Sequence, residues 1–348
     1  MPPSTLAEDD GLDFSAMDRN MTKMDVAAEK APFRIGLLLV EGFALMSFAS
    51  VVEPLRAANL LAGRPLYDVR AIPTAGEAAM SSAGTVVPAQ GRVGEAPDFD
   101  LIMVVAGGDP MAFDDRRAIG WLRRAARAGV TLGGVSGGPI ILARAGLMAG
   151  RRMTVHWEHA PALAETVPGL MLERTLYVID RDRVTCAGGT APMDLMHALI
   201  AGHHGAAFAR RVSDWFLHTD VRPAAGAQRA GLTERIGTAS RPVLDAVAAM
   251  ESHIGDPLDL GQLARAAGVG PRQLNRLFRD KLGLSTMAFY LRLRLETARN
   301  LMRNGPFAVT EVALATGFAS SAHFSRAYRT RYGEPPSRLR HQRVRTDA

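Results

Sequence analysis

Ser136 lies in Thr131-Leu-Gly-Gly-Val-Ser-Gly-Gly-Pro-Ile140, where an apolar run meets a Gly-flanked hydroxyl and then a helix-forming stretch. A polar residue held on a sharp strand-to-helix turn is a nucleophile elbow, with backbone N–H groups at the helix start able to receive an anion. His156 follows twenty residues later in Met153-Thr-Val-His-Trp-Glu-His159, so a hydroxyl and an imidazole are available for acyl transfer if folding brings them together. Two further Gly-containing loops, Ala106-Gly-Gly-Asp109 and Cys186-Ala-Gly-Gly-Thr-Ala-Pro-Met-Asp194, offer hydrogen-bond donors. A second set of residues suits phosphates and base edges. Arg272, Gln273, Asn275, Arg276 and Arg279 occupy polar positions around an apolar stripe of Leu274, Leu277 and Phe278. Fifty residues on, Ser321, Ala322, His323, Arg326 and Arg329 surround Phe324, Ala327 and Tyr328 in the same way.

These residues need elements to position them. Phe33–Val40 is a continuous apolar run of the kind buried on both faces of a parallel sheet. Further strands are expected at 67–72, 101–105, 130–135, 176–179 and 184–186, with helices near 44–55, 118–128 and 193–201 between them. Alternating strands and helices predict a doubly wound α/β sandwich, whose ligands sit beyond the carboxyl ends of the strands. From Pro242 onward the pattern is all helical, with helices at 243–252, 260–267, 271–282, 286–303, 309–316 and 320–331. Each Arg-bearing helix follows a short helix and a Gly turn, the signature of a helix-turn-helix. The pair would enter successive major grooves about 34 Å apart.

Charge divides the same way. Residues 241–348 hold 17 Lys and Arg against 9 Asp and Glu, a net +8, while residues 1–240 hold 24 against 26. The basic surplus therefore belongs to the helical region, where phosphates would use it, and nearly all of it is Arg. A single cysteine, Cys186, precludes an intramolecular disulfide. No apolar run reaches the ~20 residues of a membrane span and the start of the chain lacks signal-peptide character, so a cytoplasmic location is expected. The spacing of His197, His203 and His204 is metal-like but lacks Cys or acidic partners, so no metal and no cofactor are expected. The expected divisions are a disordered leader (1–31), an α/β domain (32–217), a linker (218–240), a helical domain (241–341) and a tail (342–348).

Gly317 to Arg340, GFASSAHFSRAYRTRYGEPPSRLR, closely resembles the signature of the AraC/XylS transcriptional regulators, and the resemblance extends over about Pro242–Arg340. By position it implies base contacts from Arg272, Asn275 and Arg276 and from Ser321, Ala322 and Arg326. Ala322 offers only a methyl contact, which implies weaker discrimination in the second half-site. Residues 33–205 are similar to the ThiJ/PfpI superfamily, relatives of the class I glutamine amidotransferases, which implies a flavodoxin-like fold. Active members of that superfamily carry Cys at the elbow and an acid after the first strand. Here Ser136 and Ser47 stand in those places, with Glu41 and Glu53 out of register. The strings EPLRAAN, GLMAGRRMTVHWEH and DRDRVTCAGGTAP make the whole chain resemble the GlxA-like branch of the AraC family.

The departures argue for binding and against catalysis, leaving a DNA-tethered amidase or hydrolase using Ser136 and His156 as the alternative. The expected ligand site comprises Ser47, Gly107, Gly108, Ser136, Gly137, His156, Trp157, Gly188, Gly189 and Thr190. Hydrogen-bond donors there suit a small carboxylate, and Trp157 offers a π face to a cationic group. The resemblance implies an amino-acid-like or betaine-like effector, activation as the mode of control, RNA polymerase as a partner, and a homodimer formed by the α/β domain on double-stranded DNA.

Overall fold

The first apolar run becomes β1 (Phe33–Leu39) in a computed structural model that describes residues 31–338; the leader before residue 31, residues 339–341 of the expected helical domain and the whole expected tail lie outside the described residues. There follow α1 (Leu45–Ala62), β2 (Tyr67–Pro73), a hairpin of β3 (Ala78–Met80) and β4 (Val86–Pro88), β5 (Leu101–Ala106), α2 (Arg116–Arg127), β6 (Thr131–Ser136) and α3 (Gly138–Arg144). Then come β7 (Arg152–Thr154), α4 (Ala160–Thr166), β8 (Met171–Glu173), β9 (Tyr177–Asp180), β10 (Arg183–Cys186), α5 (Ala191–His204) and α6 (Ala206–Trp215).

The main sheet has the order β2-β1-β5-β6-β10-β9; every neighbouring pair is parallel except β10 with the edge strand β9. Alternate residues of β1 serve opposite layers, as a strand's period of two requires. Ile35, Leu37 and Leu39 pack with Val51, Leu55, Leu195 and Ile200 on the α1–α5 side, while Leu38 joins Val104, Trp121, Leu122 and Ile140 on the α2–α3 side. Each such fully buried aliphatic side chain contributes about 1.5–3 kcal/mol. The strand ends are level: Leu39 pairs with Val105, Ala106 with Ser136 and Val135 with Cys186. Strand order reverses beside β1, so the crevice of a doubly wound sheet falls beyond β1 and β5, next to the end of β6.

The expected linker is bonded to the α/β domain through its first half. The carboxylate of Asp194, fully buried in the first turn of α5, accepts from the backbone N–H, Nε and Nη2 of Arg222 and pairs with His218 Nε2 at 2.9 Å. Leu176 N–H donates to the carbonyl of Ala224. Gln228 Nε2 donates to Thr154 Oγ1, Val155 O and Thr175 O at 2.7–3.1 Å.

The helical region contains α7 (Leu232–Ile236), α8 (Arg241–Ser252), α9 (Leu260–Ala266), α10 (Pro271–Leu282), α11 (Thr286–Asn304), α12 (Val309–Ala315) and α13 (Ser321–Tyr332). Leu274 and Phe278 of α10 close a core with Val247, Met250 and Leu263, to which α11 contributes Phe289 and Tyr290. Further along α11, Leu295, Ala298 and Met302 pack with Val312, Phe324 and Tyr328. One long helix thus belongs to both helix-turn-helix cores. Asp259 and Gln262 form a capping box at α9. At α12 only the Glu311 half remains, accepting from Ala308 N–H.

Candidate ligand site and nucleic-acid interface

Ser136 ends β6 with φ of 58°, one of three non-glycine residues with positive φ among those described. That backbone region is costly for a side-chain-bearing residue and persists only where its surroundings enforce it. The enforcement is visible in the flanking glycines. A Cβ on Gly138 would strike the carbonyl oxygen of Val104, one on Gly134 would lie 2.6 Å from Pro139 N, and one on Gly137 would lie 2.8 Å from Pro110. Only glycine lets α3 begin this close to the sheet. From the next strand end, Gly188 (φ +98°) approaches so closely that a Cβ would lie 2.8 Å from Ser136 Cα and Cβ and 3.1 Å from Ser47 Oγ. Ser47 is fully buried, and its Oγ accepts from Gly189 N–H at 3.0 Å. Gly107 packs its backbone against Gly42 and Ala44 in the loop after β1, and Gly108 turns with φ +57°. Strand ends distant in sequence therefore bring Ser47, Ser136, Gly188 and Gly189 together.

Not every expected donor is available. Gly137 N–H is spent on the carbonyl of Ala106 and Gly189 N–H on Ser47, so neither offers its backbone proton to a ligand in this conformation. Thr190 Oγ1 accepts from Arg222 Nη2 at 3.0 Å, leaving its own hydroxyl proton to donate. Ser136 Oγ makes no hydrogen bond among the described residues, and His156 turns its Nδ1 to Glu158 N–H at 3.4 Å. Glu41 accepts from Met80 N–H and Glu53 pairs with Arg56, and among the described residues neither carboxylate is hydrogen-bonded to Ser136. The Cys186 thiol is fully buried, and burial pushes its pKa up to about 12, far from the reactive range.

The imidazole of His156 lies 5.3 Å from the Trp157 ring and 6.0 Å from that of His159. Trp157 is 39% exposed, and the guanidinium carbon of Arg229 sits 4.3 Å from its ring centroid. His159 escaped the sequence reading; a histidine inside a polar string carries no periodic signal of burial. It is buried, its Nδ1 has no hydrogen-bond partner among the described residues, and its field reaches Asp109 in the loop after β5. Burial holds both imidazoles below the ordinary histidine pKa; for His159 the neighbouring His156 adds to the effect, while Glu158 and Asp109 oppose it.

The unfolded chain protonates first, near pH 6.5, so stability falls as pH drops from about 6.5 through the lowered folded-state values. Urea melts at pH 7.5 and 5.5 should show a stability loss that is smaller in His156→Gln/His159→Gln. Equal pH slopes in the two proteins would contradict the assignment.

The histidines at the end of α5 have other partners. His197 Nδ1 meets Ser213 Oγ at 2.8 Å, and His203 stacks on Tyr67 at 5.9 Å. Among the described residues no group of three metal-ligand side chains is assembled.

The two Arg-bearing helices present matching faces. Arg272, Gln273, Arg276 and Arg279 on α10 are exposed, as are Ala322, His323, Arg326 and Arg329 on α13, with Ser321 half-buried. Behind them Leu274, Phe278, Phe324 and Tyr328 are fully buried. The repeat is not uniform. α13 begins fifty residues after α10 but α12 only forty-nine after α9, so the second turn is one residue longer. That turn carries Phe318, buried beneath Arg294, whose guanidinium lies 4.3 Å from its ring centroid and whose Nε donates to Thr316 O at 2.8 Å.

One expected reader is turned inward. Asn275 is half-buried, and its Oδ1 accepts from Thr286 N–H at 3.0 Å at the start of α11. The oxygen that Asn275 would offer adenine thus also caps a helix. Asn275→Ala should cost about 1 kcal/mol of stability, as lost caps do. Base preference should stay unchanged; a relaxed preference with an unchanged melting curve would restore the reading role.

Two family descriptions match the chain: the DJ-1/PfpI family over residues 33–202 and a helix-turn-helix domain over residues 263–342. The HTH-type transcriptional regulator GlxA of Rhizobium meliloti (strain 1021) is 46% identical over 308 residues, covering 88% of this chain and 95% of that protein. The HTH-type transcriptional regulator CdhR of Pseudomonas aeruginosa is 42% identical over 303 residues, with 87% and 90% covered. GbdR of the same species is 39% identical over 305 residues, with 88% and 83% covered. With a DJ-1/PfpI-type α/β domain leading into a tandem helix-turn-helix, and with this similarity along nearly its whole length, the chain belongs to the GlxA-like branch of the AraC/XylS family of transcriptional regulators.

Proposed function

We propose that this protein reads a specific DNA sequence with α10 and α13 and activates transcription when its α/β domain binds a small amino-acid-like or betaine-like metabolite. The observation that carries the reading is the equivalence of Arg276 and Arg326. Both are exposed on helices whose buried faces match residue for residue, and α11 belongs to both cores. A spacer of this kind suits successive major grooves on one face of the duplex, a footprint of about two helical turns. Ser136 and Thr190 retain hydroxyls for a carboxylate, and the half-open Trp157 face suits a cation. A strained elbow whose hydroxyl lacks a hydrogen-bonded base supports binding over nucleophilic catalysis. In this reading a homodimer brings two such readers to extended sites in contact with RNA polymerase. Exposed Met46 and Leu60 on α1, and Trp215 and Leu217 at the end of α6, supply apolar surface for pairing.

The test has two arms. Full-length protein should select a DNA sequence from a random pool and protect about two turns of it. A thermal-shift screen against amino acids and quaternary-ammonium carboxylates should find a stabilising ligand, since binding to the native state raises apparent stability. Failure to enrich any sequence would remove the DNA reading. Turnover of amides or esters that disappears in Ser136→Ala would replace the sensor by a hydrolase.

A further inference from the structure

Residues 222–229 form a strap across the α/β domain, and its anchors converge on the site. Arg222 is tied to Asp194 and Thr190, and Ala224 O takes Leu176 N–H. Gly226 lies so close that a Cβ would come within 2.8 Å of Leu176 Cδ1. Gln228 spends its amide on Thr154, Val155 and Thr175, the first two immediately before His156 and Trp157. Arg229 comes next and is exposed, yet among the described residues it makes no hydrogen bond and no ion pair; its contact is the Trp157 ring at 4.3 Å. The carboxylates whose fields reach it, Glu251 on α8 and Glu296 on α11, are engaged by Arg235 and by Arg292 and Arg331. Arg229 is therefore held on the Trp157 face while the charges of Glu251 and Glu296 reach it without pairing with it.

We propose that Arg229 is a tethered competitor for the effector: its guanidinium covers the aromatic face that a ligand's cationic group takes, and its displacement loosens the strap leading into α7 and α8. The identity of the displacing ligand rests on the effector reading above; the hold of the stack on the strap does not. A ligand that must uncover its own subsite binds more weakly by the fraction of time the subsite is open. By reciprocity, whatever frees Arg229 is favoured by the domain arrangement in which Arg229 is already free.

Hydrogen exchange on the full-length protein tests the hold directly. Amides of 222–230 should exchange about twofold to thirtyfold faster in Arg229→Ala, the range a cation–π contact spans from exposed to desolvated sites. Arg229→Lys should lie between Arg229→Ala and the wild type. Unchanged strap exchange in Arg229→Ala overturns the proposal, and the surface position of Arg229 keeps that variant folded. Calorimetric titration with glycine betaine and with L-arginine adds the ligand arm. Arg229→Ala should bind at least one of these probes tighter by a similar factor, and equal or weaker binding by Arg229→Ala overturns the competitor role. Faster strap exchange with no binding of either probe to any variant upholds the latch and removes the effector class instead.

Discussion

Arg276→Ala and Arg326→Ala should each weaken binding to a selected DNA site by about 1–3 kcal/mol, which is roughly fivefold to 150-fold in affinity, and should relax base preference in one half-site only. Both guanidiniums are exposed on the outer faces of helices whose inner faces are locked by Leu274 and Phe278 or by Phe324 and Tyr328, so truncation removes contacts without opening the core. The two losses should add, because residues on different recognition helices share no partner. Quantitative mobility shifts at fixed salt check this, since phosphate contacts make affinity steeply salt-dependent. A double variant that binds its site like the wild type would remove both helices from the reading surface.

Arg222→Ala should lower the stability of the α/β domain by about 3 kcal/mol, the low end of the range for breaking a buried pair, because Arg222 itself reaches solvent. What remains is the Asp194 carboxylate, fully buried and stripped of the guanidinium whose Nε and Nη2 both donate to its Oδ2, with His218 and one backbone N–H still bonded at Oδ1. In a domain of this size the loss corresponds to a drop in melting temperature of roughly 6–12 °C. Arg222→Lys should recover only part of it, since an ammonium cannot reproduce the guanidinium fork. A melting temperature within about 2 °C of wild type would mean the network is better solvated than its geometry indicates.

Much of this architecture was legible in the residues. Continuous apolar runs marked β1, β5 and β6, because strands buried on both faces need no polar alternation. The helical domain was legible to within about two residues per helix, because amphipathic spacing, Gly turns and caps are local signals. The short pairs β3–β4 and β7–β8 carry too few residues for periodicity to register, and α6, which follows α5 after Gly205 alone, is not among the helices expected from the sequence.

Within the site, the sequence announced Ser136 through its glycines, since only a residue without Cβ tolerates such close approach on either side. It could not announce that Gly137 and Gly189 spend their N–H groups internally, that Asn275 caps α11, or that His159 is buried beside His156. Each of those depends on a partner brought up by the fold. The spacing of Arg276 and Arg326, the apolar stripes beneath them and the basic balance of the last hundred residues are properties of the chain itself. For that reason the sequence alone determined a tandem DNA reader joined to an α/β domain with an elbow. The tertiary structure alone decided what surrounds that elbow, because Ser47 and Gly188 meet Ser136 only after strands far apart in sequence align their ends, and it alone brought Arg229 onto Trp157, because an Ala- and Gly-rich segment with no periodicity to betray it is bonded across the domain.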